Sequence, residues 1–258
     1  MILDEIKAST LKRTAKAKKI QPLSKLEEKL AARKRKEAFA FEKALKNNGL
    51  SYICEIKKAS PSKGVIAEEF PYKDIALEYE KAGADCISVL TEPEYFMGDI
   101  LYLEEISELV DIPLLRKDFT CDEYMITEAA AYGADAILLI AAILDDRELT
   151  SYLDIADELG LSCIFEAHNE EEVRRCLHAG ARILGVNNRD LKDFTVDMGN
   201  SASLRKMVPD DIIFVAESGI SSMEDVRAVK AMGADAALIG ETLMRSSDKK
   251  ARLRELDS

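Results

Sequence analysis

The chain has 258 residues, and 47% of them are apolar, enough to bury a sizeable core in one large α/β unit. Its 36 Lys and Arg stand against 48 Asp and Glu, a formal net charge of −12. An acidic chain is a poor general binder of nucleic acid or of membrane surfaces, so the positive field for an anionic ligand must be local. The five cysteines (Cys54, Cys86, Cys121, Cys163, Cys176) are scattered without a CxxC pair, and only His168 and His178 could join them. Neither a zinc site nor a disulfide framework follows, and free thiols in a reducing cytoplasm are expected. The opening Met1-Ile2-Leu3-Asp4-Glu5 does not read as a signal peptide, and no apolar run is long enough to cross a bilayer.

Residues 1–48 are helical in composition, broken by Pro22. The segment Leu23–Phe41 reads as too charged for a core and is expected to pack across one end of the fold. The first strand spans Tyr52–Lys57. Four similar segments follow, each with a helical pattern, a Gly where the helix would close, and an apolar strand: Ala82–Leu90, Tyr132–Ile140, Ala179–Asn187 and Met232–Gly240. Their glycines recur about 50 residues apart, room for two βα units per interval. The intervening strands are Pro113–Lys117, Ser162–Glu166 and Asp211–Ala216. Helical patterns follow the eight strands near Tyr72–Lys81, Ile100–Val110, Asp122–Ala131, Asp145–Leu159, Glu170–His178, Ser201–Val208, Ser221–Ala231 and from Glu241. Eight apolar strands alternating with eight helices predict a closed parallel (β/α)8 TIM barrel over 49–258, with 1–48 as an N-terminal helical extension of the same domain. The alternative, a doubly wound open sheet, would carry a Gly-rich nucleotide loop after the first strand, and none is present.

Polar residues gather where seven of the strands end. Glu55 and Lys57 share one face of the first strand. Alone, such a pair reads as a solvated face. The pattern recurs, however: Thr91-Glu92-Pro93 with Tyr95 and Phe96, then Arg116-Lys117-Asp118-Phe119, Glu166 with His168, Asn187-Asn188-Arg189-Asp190, Glu217-Ser218-Gly219, and Gly240-Glu241. The fourth strand ends in Ala141-Ala142 and adds little polarity. Active sites of parallel barrels lie at this end of the strands. Ser221 and Glu224 read as a capping box after Gly219, and Gly240 leads into another helix start. Two such turns after the last two strands, with Lys57 next to them, predict a phosphate site. Two lysines and several carboxylates facing one cavity predict acid–base chemistry without a cofactor.

Several strings carry a family resemblance: Glu55-Ile56-Lys57-Lys58-Ala59-Ser60-Pro61-Ser62-Lys63-Gly64, Leu115-Arg116-Lys117-Asp118-Phe119, Ala134–Ile140, Gly185-Val186-Asn187-Asn188-Arg189-Asp190-Leu191 and Ala216-Glu217-Ser218-Gly219-Ile220. Together they resemble indole-3-glycerol-phosphate synthase over nearly the whole chain. The resemblance implies conversion of 1-(2-carboxyphenylamino)-1-deoxyribulose 5-phosphate to indole-3-glycerol phosphate, with release of CO2 and water, in cytoplasmic tryptophan biosynthesis. By position, it implies that Lys117 is the general acid of ring closure and Glu166 its partner in later proton transfers. Lys57 becomes a second acid and phosphate contact, and Glu55 a stabiliser of positive charge on nitrogen. Asn187 and Ser218 would position Glu166 and the sugar hydroxyls. Ser60 and Arg189 would meet the substrate carboxylate or organise its surroundings. Phe96 and Phe119 would pack the aromatic ring, Leu238 would line the substrate, and Gly219, Gly240 and Glu241 would offer phosphate-binding backbone. Glu241, Ala167 and Met125 depart from common family choices, and Glu241 would have to turn its side chain away from the phosphate. The implied partner is a small phosphosugar, bound by a monomer without cofactor, metal, nucleic acid or membrane; association with other tryptophan-pathway enzymes stays open. The loop Lys58–Gly64 is expected to be a lid whose ordering limits turnover. A related phosphosugar barrel such as phosphoribosylanthranilate isomerase would instead rearrange a ketose without releasing CO2. A phosphate sensor without catalysis predicts decay of Lys117 or Glu166, and both are intact.

Overall fold

The computed structural model describes residues 2–34, 36–47, 49–189 and 194–257. Eight parallel strands close into a barrel: β1 (Ser51–Ile56), β4 (Cys86–Leu90), β5 (Leu114–Lys117), β6 (Ala136–Ile140), β7 (Ser162–Ala167), β8 (Ile183–Asn187), β9 (Ile213–Glu217) and β10 (Ala236–Ile239). A small antiparallel ribbon, β2 (Ala59–Ser60) with β3 (Gly64–Val65), rises from the end of β1. The helices between strands are α4 (Tyr72–Ala82), α5 (Ile100–Ser107), α6 (Glu123–Ala131), α7 (Asp146–Glu158), α8 (Glu170–His178), α9 (Met198–Arg205) and α10 (Met223–Ala231). The eight-stranded barrel expected from the repeats is therefore present.

Strand register decides which side chains enter the barrel. Paired residues of parallel neighbours point to the same side, and alternate residues along a strand point to opposite sides. Glu55 pairs with Ser88, Ser88 with Leu115, and Ile140 with Glu166. Glu166 in turn pairs with Gly185, Asn187 with Glu217, and Glu217 with Leu238. These positions face inward together. Their neighbours Cys54, Val89, Leu139, Phe165, Val186 and Ala216 face the helices, where all are buried in one continuous apolar core. Both faces of each strand are thus covered, which is why the strands read as unbroken apolar runs.

The N-terminal segment departs from expectation. It forms α1 (Ile2–Ile20), α2 (Leu23–Ala32) and a short α3 (Ala40–Ala44), and the stretch Leu23–Phe41 packs along the side of the barrel instead of across one end. The α1 helix crosses the C-terminal end of the barrel, where Arg13 Nη2 meets Asp118 Oδ1 at 2.8 Å and Lys7 donates to the carbonyl of Ile143. The α2 helix descends beside α6, with Leu26 fully buried. The α3 helix sits under the barrel floor, where Glu42 N–H donates to Ser162 Oγ at 3.2 Å and Phe41 is fully buried. Charged residues mask a narrow apolar stripe in this segment, and that stripe is what packs.

Two other boundaries shift. The helix read at Ser201–Val208 begins at Met198 because Asp197 accepts from Gly199 N–H as its N-cap. The final helical stretch splits into α11 (Glu241–Met244) and α12 (Lys249–Asp257).

A buried charge network ties α1 to the strand that carries Lys117. Asp118 is fully buried and accepts from Arg13, Arg116 and Thr91 Oγ1, while Arg116 also pairs with Glu128 at 2.8 Å. Burial opposes ionisation of Asp118, but the two guanidiniums and Thr91 outweigh it and lower its carboxyl to about 2. A lowered carboxylate contributes stability above its unfolded pKa, about 3.9, and loses it as pH falls through the folded value. The shift is linked to about 2–3 kcal/mol. Asp118→Asn should therefore destabilise the fold by about 2–4 kcal/mol near neutral pH, as read by urea denaturation, because it leaves buried guanidinium uncompensated. The deficit relative to wild type should shrink between pH 4 and pH 2; a deficit independent of pH would rule out the ionised Asp118 as its source.

Candidate active site

The inward residues at the C-terminal end of the strands line one cavity of 560 Å³. Its floor is apolar where β6 and β10 contribute Leu138, Ile140 and Leu238, and its charged groups come from the other strands. The ammonium of Lys117 stands between two glutamates, 2.9 Å from Glu166 Oε2 and 3.1 Å from Glu217 Oε2. Asn187 Nδ2 donates to the second oxygen of Glu166 at 3.2 Å. At the end of β1 Lys57 pairs with Glu55.

Two glycines make this crowding possible. A Cβ at Gly185 would collide with Glu217 Oε1, and one at Gly240 would meet Glu55 Oε1 and Lys57 Nζ. Gly185 lies within β8, where a side chain would fill the barrel mouth that Glu217 occupies.

Burial and charge separate the groups. Burial works against an ammonium, but Glu166, Glu217 and Glu55 outweigh it and raise Lys117 above the ordinary lysine value. Burial works against a carboxylate at Glu166 too, yet Lys117 and His168 lower it below the usual range. At Glu217 burial prevails: Lys117 pulls its carboxyl down, Glu166 and Glu55 push it up, and it settles at about 7. Glu217 Oε1 is buried without a hydrogen-bond partner.

The rim holds the other expected residues. Phe96 and Phe119 face each other with ring centroids 5.9 Å apart. The turn carrying Phe96 is held by the buried carboxylate of Glu92, which accepts from the N–H groups of Glu94, Tyr95 and Phe96. Ser60 lies in the ribbon over the cavity, with its hydroxyl 3.4 Å from that of Ser62. Arg189 donates from its N–H to Asn187 Oδ1 at 3.0 Å and from its guanidinium to the carbonyl of Phe194 at 3.3 Å. Asp190 and Leu191, which complete that motif, lie outside the described residues. Ser218 lines the cavity with φ at 67°, followed by Gly219 at 83°, two successive left-handed residues that turn the backbone sharply after β9. Glu166 accepts from Lys117 and Asn187.

The expected phosphate end is partly revised. The capping box is Ser222 with Asp225, one residue later than Ser221 with Glu224. Asp225 accepts the N–H groups of Ser221 and Ser222, which withdraws both from any ligand. The turn at Ser218–Ile220 and the Gly240–Glu241 step remain on the cavity wall beside Lys57. The carboxylate of Glu241 is engaged by Arg245 at 3.1 Å and Lys63 at 3.8 Å, so its charge is compensated there.

Glu217 belongs to this charged cluster although the sequence reading placed it only at a strand end. Its signal was available: two residues beyond an inward Val215, it must itself face inward. Ile2, Leu3 and Ile6 of α1 also line the cavity, and no local pattern announces that. Among the described residues, no group of three or more His, Cys, Asp or Glu is arranged to hold a metal ion, and no helix is long and apolar enough to cross a membrane.

Known proteins resemble this chain in fold or in sequence. Two solved structures share the fold at low identity: 3-hexulose-6-phosphate synthase from Salmonella typhimurium (TM-score 0.66, 15% identical, covering 80% of this chain and 96% of that one) and thiamine phosphate pyrophosphorylase from Pyrococcus furiosus (TM-score 0.59, 18% identical, covering 81% and 93%). The indole-3-glycerol phosphate synthase of Ruminiclostridium cellulolyticum is 56% identical over 256 residues, 99% of this chain and 98% of its own. That of Endomicrobium trichonymphae is 53% identical over 256 residues, 99% of each chain. The sequence model of that family matches residues 3–256. With its barrel mouth built around Lys117 and its match running from end to end, the chain belongs to the indole-3-glycerol phosphate synthase family.

Proposed function

We propose that the cavity closes the indole ring of 1-(2-carboxyphenylamino)-1-deoxyribulose 5-phosphate, with loss of CO2 and water. The observation that carries this reading is one lysine ammonium shared by two buried glutamates whose proton affinities are pushed apart. Pairs of titratable groups separated in this way are suited to opposite proton-transfer roles.

The substrate phosphate would sit at the Ser218–Ile220 and Gly240–Glu241 turns, with Lys57 as a point charge, and the aromatic ring would pack against the Phe96 and Phe119 pair. Ser60 and Arg189 would face the carboxylate, Leu238 the body of the substrate. In the first step the ring carbon bearing the carboxylate attacks the ribulose carbonyl carbon, and Lys117 protonates the carbonyl oxygen as it gains charge. Glu55 faces the same layer and favours the positive charge that grows on nitrogen. Loss of CO2 returns the bonding electrons to the ring, neutralises the charge on nitrogen and restores the ring's aromaticity. Dehydration then needs an acid for the leaving hydroxyl and a base for a ring-side proton. Glu166, held ionised, suits the base, and Glu217, poised at about 7, suits the acid. Asn187 aims Glu166 by its hydrogen bond. Buried free thiols at all five cysteines support a reducing, cytoplasmic setting.

Indole formation followed by fluorescence, without added metal, tests the assignment. Wild type should turn over; Lys117→Ala and Glu166→Gln should each lower kcat by about 100- to 10,000-fold while the phosphosugar still binds. Binding without turnover by wild type would leave a phosphosugar-binding protein instead. Because Glu217 acts in its protonated form, kcat should fall as pH rises through about 7, and Glu217→Gln should remove that limb at reduced rate. The β2–β3 ribbon over the cavity supports a lid that limits turnover. In that case kcat falls as solvent viscosity is raised, and a flat viscosity series would dismiss it.

A further inference from the structure

Lys117 meets Glu166 and Glu217 at nearly equal distances, 2.9 and 3.1 Å, and both glutamates are buried. Nothing in that pair alone says which should hold a proton. The difference lies behind Glu166. The imidazole of His168, in the loop after β7, places Nε2 3.3 Å from Glu166 Oε1, within ion-pair range but outside hydrogen-bond geometry. Its other nitrogen, Nδ1, is 3.1 Å from Glu172 Oε2 on α8. Glu172 is itself fixed: the same oxygen accepts His168 N–H at 2.8 Å, and its second oxygen accepts from Asn169 Nδ2 at 2.7 Å. Asn200 Nδ2 on α9 donates to the His168 carbonyl at 3.2 Å. Glu217 has no counterpart, and its free oxygen is unpartnered.

We propose that His168 is a positioning residue: clamped as an imidazolium between Glu166 and Glu172, it holds Glu166 as the aimed carboxylate and leaves Glu217 as the glutamate that carries the proton. The charged groups facing the ring are Glu166 from β7 and Glu172 from α8; Lys117 of β5 reaches it only through Glu166, and Asn187 and Asn200 are neutral. Burial disfavours a charged ring, but the two carboxylates outweigh it and raise His168 to about 10. A ring placed so carries charge at neutral pH and supplies Glu166 with a second cation that Glu217 lacks.

This inference rests on the reaction proposed above for the roles of the two glutamates, yet its core is readable without chemistry. In the ligand-free wild type, the ring carbons of His168 should show imidazolium shifts up to about pH 8 by NMR; with only two histidines in the chain, His178→Asn assigns them. The Glu166 carboxyl, followed by its carbon shift, should titrate at least one pH unit higher in His168→Asn, which keeps a donor toward Glu172 but none toward Glu166. In the same variant kcat should fall by about tenfold or more with KM within about twofold, and the acid and alkaline limbs of the kcat profile should move toward each other. His168→Gln, which restores a donor near the position of Nε2, should recover most of kcat. A neutral His168 ring at pH 7.5, or a Glu166 titration unchanged in His168→Asn, overturns the clamp. Failure of wild type to form indole, with the ring charged and the Glu166 titration shifted, would overturn the assigned reaction while the clamp stands.

Discussion

Charge balance among buried side chains at the barrel mouth governs this molecule. Glu55, Glu166 and Glu217 are all buried at one level of the barrel, where an unpaired carboxylate is strongly disfavoured. Lys57 and Lys117 answer them directly, and His168 adds a third cation behind Glu166. Removing Lys117 or Glu166 would leave a buried charge unmatched, so these residues are held together by each other as much as by the strands. The same low-dielectric setting that makes the arrangement demanding makes its fields strong enough for proton transfer.

The strands meet this demand by alternating large and absent side chains. Gly185 and Gly240 leave room where Glu217, Glu55 and Lys57 stand, and Leu138, Ile140 and Leu238 close the remaining floor. Charge is thus confined to the mouth while the barrel below it and the shell outside it remain apolar. A net charge of −12 is compatible with an anionic substrate because the relevant cations are concentrated at this one place.

The N-terminal segment links the two ends of the barrel. Its first helix contributes Ile2, Leu3 and Ile6 to the cavity wall and Arg13 to the buried network of Asp118, the residue after Lys117. Its last turn seals the floor through Phe41 and Glu42. Position of the strand that carries Lys117 and stability of the fold are therefore coupled through one run of chain that local pattern describes only as charged helix.

Much was legible in the residues because it follows from local rules. Short apolar runs, glycines closing helices and a repeat spaced for two βα units specify eight strands and eight helices, and a parallel sheet with both faces covered must close or be doubly wound. Polar residues at the strand ends then locate Lys117, Glu166, Glu55 and Lys57 without coordinates. Tertiary structure alone decided which of these groups meet. Glu217 shares Lys117 with Glu166 because β5, β7 and β9 are brought around one circle, although 100 residues separate the lysine from Glu217. His168 stood only as a polar residue after Glu166 until α8 placed Glu172 opposite it. Sequence spacing carries the direction a side chain faces, because that is set by the backbone of its own strand; it does not carry the distance between strands, which closure of the whole barrel sets, and proton affinities depend on those distances.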